Sequence, residues 1–396
     1  MSTFFIIPYM RKVFFPEWDS LGLDFVIKAL TDEGFELCRY PIPQSEPDQD
    51  KRAALCEDLV AQIISGGYDF VFSVNFLPVV AVACKACRIK YLSWTYDSPC
   101  VELYSETVAY EGNYCFVFDG QTVADLRAKG INTVHYLPLA ADVTFYDKIC
   151  ANTGNKYTAD ISFVGSLYNS VKGPFAALEN SGPYLRGYLE GLIEAQLRIY
   201  GANFLEAALE EGIIEQLQAL CRMPQRVHSM ESIAWIYANY YLASKVTGCE
   251  RAEIMRRLYA AGHKPRLYTG EGAHAGLDVP DSGAVDYYSQ APLVFHRSKI
   301  NLNISVRSIL SGIPLRAFDI MGCGGFLVTN YQADFLRHFT PGEDFVYYES
   351  MPDLCDKVDY YLEHAEEREC IAQSGYEKVK AAHTYHHRIR EMLNCL

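Results

Sequence analysis

Ser311-Gly-Ile-Pro-Leu-Arg-Ala-Phe-Asp-Ile-Met-Gly-Cys-Gly-Gly-Phe-Leu-Val-Thr-Asn-Tyr331 strings together a loop, a short helix, a glycine turn and a buried strand. Gly312 and Pro314 open the helix, and Gly322, Gly324 and Gly325 close it and feed the apolar run that follows, an order typical of a parallel α/β sheet. The N–H groups at such a helix start favour an anion, and Arg316 in the first turn adds a fork of donors. Asp319 lies one turn further along the same face, where a carboxylate can accept hydrogen bonds from a ribose diol. The same pattern also suits a helix start that merely packs at a domain interface.

Outward from this stretch, short β-rich runs alternate with helix-length segments. The pattern predicts strands at Phe4–Ile7, Phe35–Tyr40, Phe70–Val74, Lys90–Trp94, Cys115–Phe118 and Val134–Leu137, with helices at Leu21–Asp32, Lys51–Ser65, Leu77–Ala86 and Gln121–Lys129 between them. Residues 1–150 thus read as one α/β domain, and the polar stretch Lys148–Tyr157 as a linker. A second α/β domain follows over residues 158–382. Its first strand, ending at Val164, runs into Gly165-Ser166, and it resumes with Glu250–Ala261, Arg266–Thr269, Ile300–Asn303, Leu315–Met321 and Gly325–Thr329. Between about 173 and 248 the strand signals vanish, which predicts an all-helical insertion. Its aromatics Trp235, Tyr237, Tyr240 and Tyr241 form either a local core or an exposed binding face, the core being favoured. Helices Met351–His364 and Glu366–Ala382 end the domain, and residues 383–396 form a last helix expected to cross back to the first domain.

Composition narrows the function classes. Roughly 150 residues per domain makes a chain of 396 residues two or three domains. Lys and Arg number 35 against 49 Asp and Glu, a net charge of −14 with no block of like charges, which argues against a nucleic-acid or anionic-lipid surface and leaves room for a local basic cleft that takes a small phosphate. No apolar run approaches the ~20 residues of a membrane span. The 13 cysteines are scattered singly, as at Cys38, Cys115, Cys323 and Cys370, which suggests buried, reduced thiols in a cytoplasmic protein. Cys84-Lys-Ala-Cys87 stands alone as two cysteines one helical turn apart, and His383, His386 and His387 lack a carboxylate or cysteine at ligand spacing. Asp48-Gln-Asp50 resembles a metal-holding carboxylate pair but sits in a proline-rich loop. No metal is expected.

Two loops besides the opening stretch could carry chemistry. Gly165-Ser166 follows a strand, where glycine lets backbone approach a phosphate closely or simply makes an ordinary turn. Asp97, in Trp94-Thr-Tyr-Asp-Ser-Pro, follows another strand and is either a base at a cleft or a turn cap before Pro99. Asp119 and His135 are secondary candidates that equally suit a helix cap or a polar slot in the core.

Phe318-Asp-Ile-Met-Gly-Cys-Gly-Gly-Phe-Leu-Val-Thr-Asn-Tyr, Pro341-Gly-Glu-Asp, Ile371-Ala-Gln-Ser-Gly and His383-Thr-Tyr resemble the donor-domain signature of the spore-maturation-protein-like (CgeB-like) glycosyltransferases, as does Ser298-Lys-Ile-Asn-Leu-Asn. Ser93-Trp-Thr-Tyr-Asp-Ser-Pro, Phe118-Asp-Gly and Tyr136-Leu-Pro-Leu-Ala-Ala-Asp are similar to their N-terminal half. The resemblance covers most of the chain except the helical insertion. It implies a GT-B fold: two Rossmann-like, doubly wound α/β domains facing a cleft, the first on the acceptor side and the second holding a nucleotide-sugar, without a catalytic metal. Retaining relatives in the wider superfamily carry a second glutamate where Asp319 stands and a first one where Ser311 stands, so the first sugar contact does not carry over to this chain.

The expected activity is transfer of a sugar from a nucleoside-diphosphate donor, a UDP-sugar, to a hydroxyl of a protein, a glycan or a small molecule. The diphosphate is expected at Gly165, Ser166 and Arg316, with Arg297 and Lys299 as reserve cations, Asp319 on the ribose and Tyr268 beside the base. Asp97 is the expected catalytic base of an inverting transfer. No cofactor beyond the donor is implied. The alternative is a nucleotide-sugar-binding protein of the same fold that has lost turnover.

Overall fold

The computed structural model describes residues 11–43, 49–151, 154, 156–168, 173–224, 229–270 and 279–396. The chain divides into two compact units, one drawn from Met1–Val117, Val123–Leu137 and Tyr385–Leu396, the other from Phe118–Thr122 and Pro138–Thr384.

The first unit runs β1 (Arg11–Glu17), α1 (Leu23–Asp32), β2 (Phe35–Pro41), α2 (Gln49–Gly66), β3 (Phe70–Val74), α3 (Pro78–Cys87), β4 (Tyr91–Thr95), β5 (Asn113–Val117), α4 (Gly120–Ala128) and β6 (Val134–Tyr136). The first residues of α4 belong to the second unit. All strand pairs are parallel and the sheet order is β2-β1-β3-β4-β5-β6. Every residue of β3 and β4 is buried, as parallel strands covered on both faces require. Helix α1 turns Leu23, Val26 and Leu30 to the core at helical spacing. The expected strand Phe4–Ile7 lies outside the described residues, and Arg11–Glu17 forms β1 instead. Its apolar run is short and sits between charges and Pro16, which hides it in the sequence, although Val13, Phe14 and Phe15 are completely buried.

The second unit runs α5 (Val143–Cys150), β7 (Ala159–Val164), α6 (Pro183–Leu197), α7 (Glu211–Leu220), α8 (Ile233–Ile236), α9 (Ala243–Ala260), β8 (Arg266–Tyr268), α10 (Ala291–Arg297), β9 (Ser298–Asn303), α11 (Leu315–Gly322), β10 (Leu327–Asn330), α12 (Phe335–His338), β11 (Val346–Tyr348), α13 (Met351–Glu363) and α14 (Ala365–Ala382). Its sheet is parallel in the order β11-β10-β9-β7-β8. Helix α5 occupies the start of the stretch expected to be a linker, because Asp142 caps it by accepting the Phe145 N–H. The last helix, α15 (Tyr385–Leu393), belongs to the first unit, where Tyr385 packs 5.3 Å from Phe25 between ring centres and Arg390 pairs with Glu33 at 2.6 Å.

The helical insertion does not stop near Gly248. Residues 233–260 form one uninterrupted helix, π-helical over Tyr237–Leu242. Its first half joins Leu185, Leu189, Ile213 and Leu217 in a helical core through Tyr237, Tyr241 and Val246, while Ile254, Met255 and Leu258 join the core of the sheet. Tyr237 and Tyr241 are therefore core, Trp235 is buried beside Tyr240, and Tyr240 is half-buried. The cysteines divide: Cys115 and Cys323 are buried, but Cys38 and Cys370 are exposed. No helix among the described residues is long and apolar enough to cross a membrane.

Candidate functional site

In an open parallel sheet a ligand sits outside the carboxyl ends of the strands, where the chain order reverses. In the second unit that point lies between β7, whose chain continues towards β8, and its other neighbour β9. Three of the expected residues meet there. Gly165 leaves β7 with φ +147°, and a Cβ at this position would lie 2.5 Å from Nη2 of Arg316, so only glycine lets backbone and guanidinium come this close. The Gly165 N–H donates to the Tyr268 carbonyl at 3.1 Å, and Ser166 follows directly.

The tertiary fold orients Arg316. Asn303 at the end of β9 donates its amide to Thr329 Oγ1 at 2.9 Å and Ser305 Oγ at 3.2 Å, which turns its oxygen to accept from Arg316 Nη1 at 3.1 Å. The guanidinium also lies 5.4 Å from the centre of the Phe163 ring. Burial lowers its pKa, and among the described residues it forms no ion pair. An anion arriving here would therefore meet a positive charge with no competing carboxylate bound to it. Pro314 precedes α11, and no side chain caps that helix.

Asp319 is buried one turn beyond Arg316. Its Oδ1 accepts from the Tyr146 hydroxyl at 2.7 Å and its Oδ2 from the Tyr287 hydroxyl at 3.2 Å. Burial pushes its pKa up to about 7 against the opposing effect of the two tyrosines and Arg316. Tyr268 is also buried at the end of β8.

Arg297 and Lys299 do not belong to this group. They flank the amino end of β9, where Arg297 donates to the Lys156 carbonyl at 2.8 Å and Lys299 pairs with Asp160 at 2.7 Å. A strand rising about 3.3 Å per residue separates them from Asn303. Proximity in sequence to a site strand misled here, because only one end of a parallel strand faces the site.

Ser311 and Asp119 serve structure. Asp119 Oδ1 accepts the Gln121 and Thr122 N–H groups at 3.0 and 3.1 Å, and Oδ2 accepts those of Leu310 and Ser311 at 2.6 and 3.2 Å. The Ser311 hydroxyl lies 3.1 Å from Asp119 Oδ1 and 2.9 Å from Asp334 Oδ2. Asp119 is thus a helix cap that also ties down the loop before α11. His135 fills a slot against the rings of Tyr114 and Phe116.

In the first unit, Asp97 lies just past β4 as an exposed residue whose carboxylate is partly buried against Asn75. Asn75, past β3 in a left-handed conformation at φ +59°, donates to Asp97 Oδ2 at 2.7 Å while its own oxygen accepts the Tyr96 and Asp97 N–H groups. Partial burial of the carboxylate, and then the Glu102 charge, raise its pKa despite the Asn75 bond. Among the described residues no three His, Cys, Asp or Glu side chains gather as metal ligands. Asp48 lies outside the described residues. His383 packs in the second unit against Phe318 and Phe339, and His386 pairs with Asp32 in the first.

Sequence reasoning missed Asn75, Tyr146, Tyr287, Asn303 and Arg251. Only Arg251 left a clear trace: with Thr247, Ile254, Met255 and Leu258 it occupies the buried stripe of α9, where a charge is out of place.

The sequence model of a family described as glycosyl transferase-like matches residues 250–394. Spore protein CgeB of Bacillus subtilis (strain 168) is 30% identical over 112 residues, which span 27% of this chain and 33% of that protein. Among solved structures, a glycosyltransferase from Rickettsia africae ESF-5 aligns over 98% of both chains with a TM-score of 0.55 and 10% identity. The sucrose-phosphate synthase of Thermosynechococcus elongatus aligns over 97% of this chain and 98% of its own, with a TM-score of 0.55 and 12% identity. HepE of Anabaena, solved with UDP and glucose, aligns over 98% of this chain and 100% of its own, with a TM-score of 0.53 and 11% identity. Residues 250–394 are thus similar to the glycosyl transferase-like family, and the chain as a whole has the GT-B fold of these glycosyltransferase structures.

Proposed function

We propose that the protein is a metal-independent glycosyltransferase that moves a sugar from a UDP-sugar to an acceptor hydroxyl with inversion. The observation that carries this reading is the group at the β7/β9 switch point. There Gly165 lies against Arg316, which among the described residues has no carboxylate partner and stands one helical turn before Asp319. The cation suits a diphosphate and the carboxylate a ribose diol. The glycosyl transferase-like match and the UDP-bound HepE relative support it.

In this reading Arg316 and the α11 start neutralise the charge that grows on the departing diphosphate as the bond from the anomeric carbon to its phosphate oxygen breaks. Asp97 takes the proton of the acceptor hydroxyl as that oxygen attacks the same carbon from the opposite face. A raised carboxylate pKa strengthens the base while exposure keeps it open to the acceptor. Incubation with a panel of nucleotide-sugars in excess EDTA should release UDP slowly by hydrolysis and faster with acceptor. NMR of the product should give an anomeric configuration opposite to the donor's. A requirement for Mn²⁺ or Mg²⁺ would overturn the metal-independent mechanism.

The binding-protein alternative draws on Ser311, whose hydroxyl is taken up by Asp119 and Asp334. UDP binding without release of UDP from any donor in that panel would select it.

A further inference from the structure

Arg251 is 3% exposed and carries its guanidinium into the apolar stripe that α9 lays on the sheet. Among the described residues no carboxylate pairs with it. Its donors go to two backbone carbonyls instead. Nε donates to Ile304 at 3.1 Å, joined by Nη2, and Nη1 donates to Ser166 at 2.5 Å. Ser166 is the second residue past β7 and Ile304 the first past β9, so one side chain ties together the loops on the two sides of the switch point. Arg316 and Arg251 both approach the Phe163 ring, at 5.4 and 5.2 Å from its centre. Each adds positive charge to a place where no carboxylate is bound.

Because a trans peptide points its N–H opposite to its carbonyl, holding the Ser166 carbonyl also sets the direction of the Leu167 N–H, while the Ser305 N–H beyond Ile304 is taken by Asn330 Oδ1 at 2.8 Å. The mount is rigid. Gly248, one turn before Arg251, packs so tightly that a Cβ there would lie 2.6 Å from the Tyr168 carbonyl oxygen. The next buried residue, Glu250, pairs with Arg307 of the β9 loop at 2.9 Å. An uncharged donor could tie two loops as well. A guanidinium buried beside a second one, with no carboxylate paired to either among the described residues, favours a nearby anion.

We propose that Arg251 is a positioning residue of the donor site: it fixes the separation and backbone direction of the β7 and β9 loops that receive the diphosphate and adds a second positive charge behind them. The inference rests on the donor reading above. It also gives the helical insertion a role, since the helix that bears Arg251 is anchored in the insertion's core.

The test compares binding of UDP and of uridine by calorimetry in the wild-type chain, R251M and R251K, with thermal unfolding of each. R251M should lose UDP affinity by about tenfold to a hundredfold, the scale of a lost charge-assisted interaction, and keep uridine affinity within about twofold. R251K should recover part of the UDP affinity, since it keeps the charge without the fork. If R251M does not fold, R251K carries the comparison, with a smaller UDP-selective loss. Parallel losses of UDP and uridine, or unchanged UDP affinity in a folded variant, would overturn the role of Arg251. A wild-type chain that binds no UDP would instead overturn the donor reading, and this inference with it.

Discussion

The two sheets share a plan and differ in what borders their switch points. In the first unit the carboxyl ends of β1 and β3 carry carboxylates: Glu17, the last residue of β1, pairs with Arg39 at 2.7 Å, and Asn75, past β3, holds Asp97 while it organises the turn after β4. In the second, the ends of β7 and β9 are flanked by two guanidiniums. The aspartates differ in step with this. Asp97 is exposed and touches one amide, whereas Asp319 is buried and touches two phenols. In the reading proposed above, the side chains around the switch point of the second unit suit an anion, and Asp97 in the first unit serves a hydroxyl acceptor.

The contrast breaks most easily at Asp97. Asp97→Asn keeps the shape and removes the basicity, so turnover should fall by roughly two to four orders of magnitude while UDP affinity changes little. An active variant, or a product that retains the donor's anomeric configuration, would take the role of base from Asp97.

The second effect concerns Asp319 and pH. Its folded pKa of about 7 lies above the ordinary carboxylate value, so between about pH 4 and 7 the folded chain holds a proton that the unfolded chain has lost. Its contribution is therefore complete in acid, falls away as pH rises towards 7, and stays absent above. The loss should be on the order of 2–4 kcal/mol. Urea unfolding of wild type and Asp319→Asn across that range should give curves whose difference follows this window. A constant difference would mean that Asp319 titrates in the ordinary range.

A smaller effect is expected on ligand binding. Asp319→Ala should weaken UDP by about 1–3 kcal/mol, the cost of losing a charge-assisted hydrogen bond, and should weaken uridine as well, because the ribose carries the contact. Unchanged calorimetric affinity would remove Asp319 from the site. The smallest effect is that of Tyr146→Phe, which deletes one hydroxyl from Asp319 and should cost about 0.5–1.5 kcal/mol of stability. It should also move the pH window of Asp319 upward, since the Tyr146 bond lowers that pKa. An unmoved window would leave Tyr287 as the partner that matters.

Much of this arrangement is legible without coordinates. Runs such as Phe70–Val74 and the glycine-closed helix at Leu315 announce alternating strands and helices because apolar spacing and turn residues act locally. The same local logic sets Gly165 and Ser166 after a strand and Arg316 and Asp319 on one helical face. It fails at β1, where Pro16 and flanking charges hide three fully buried residues, and at the end of the insertion, where the helix continues through Gly248.

Which end of β9 faces the site, and hence the exclusion of Arg297 and Lys299, depended on parallel pairing with β7, a relation between segments far apart in the chain. The partners of Asp319 come from Tyr146 and Tyr287, and the tie between the two loops from Arg251 on a helix that separate segments pack around. Periodicity therefore sufficed for the elements and for residues within one turn of each other, since short-range sterics and burial decide those. Charge state, hydrogen-bond partners and the membership of the site were left to the folded chain, because they depend on distances that only long-range packing creates.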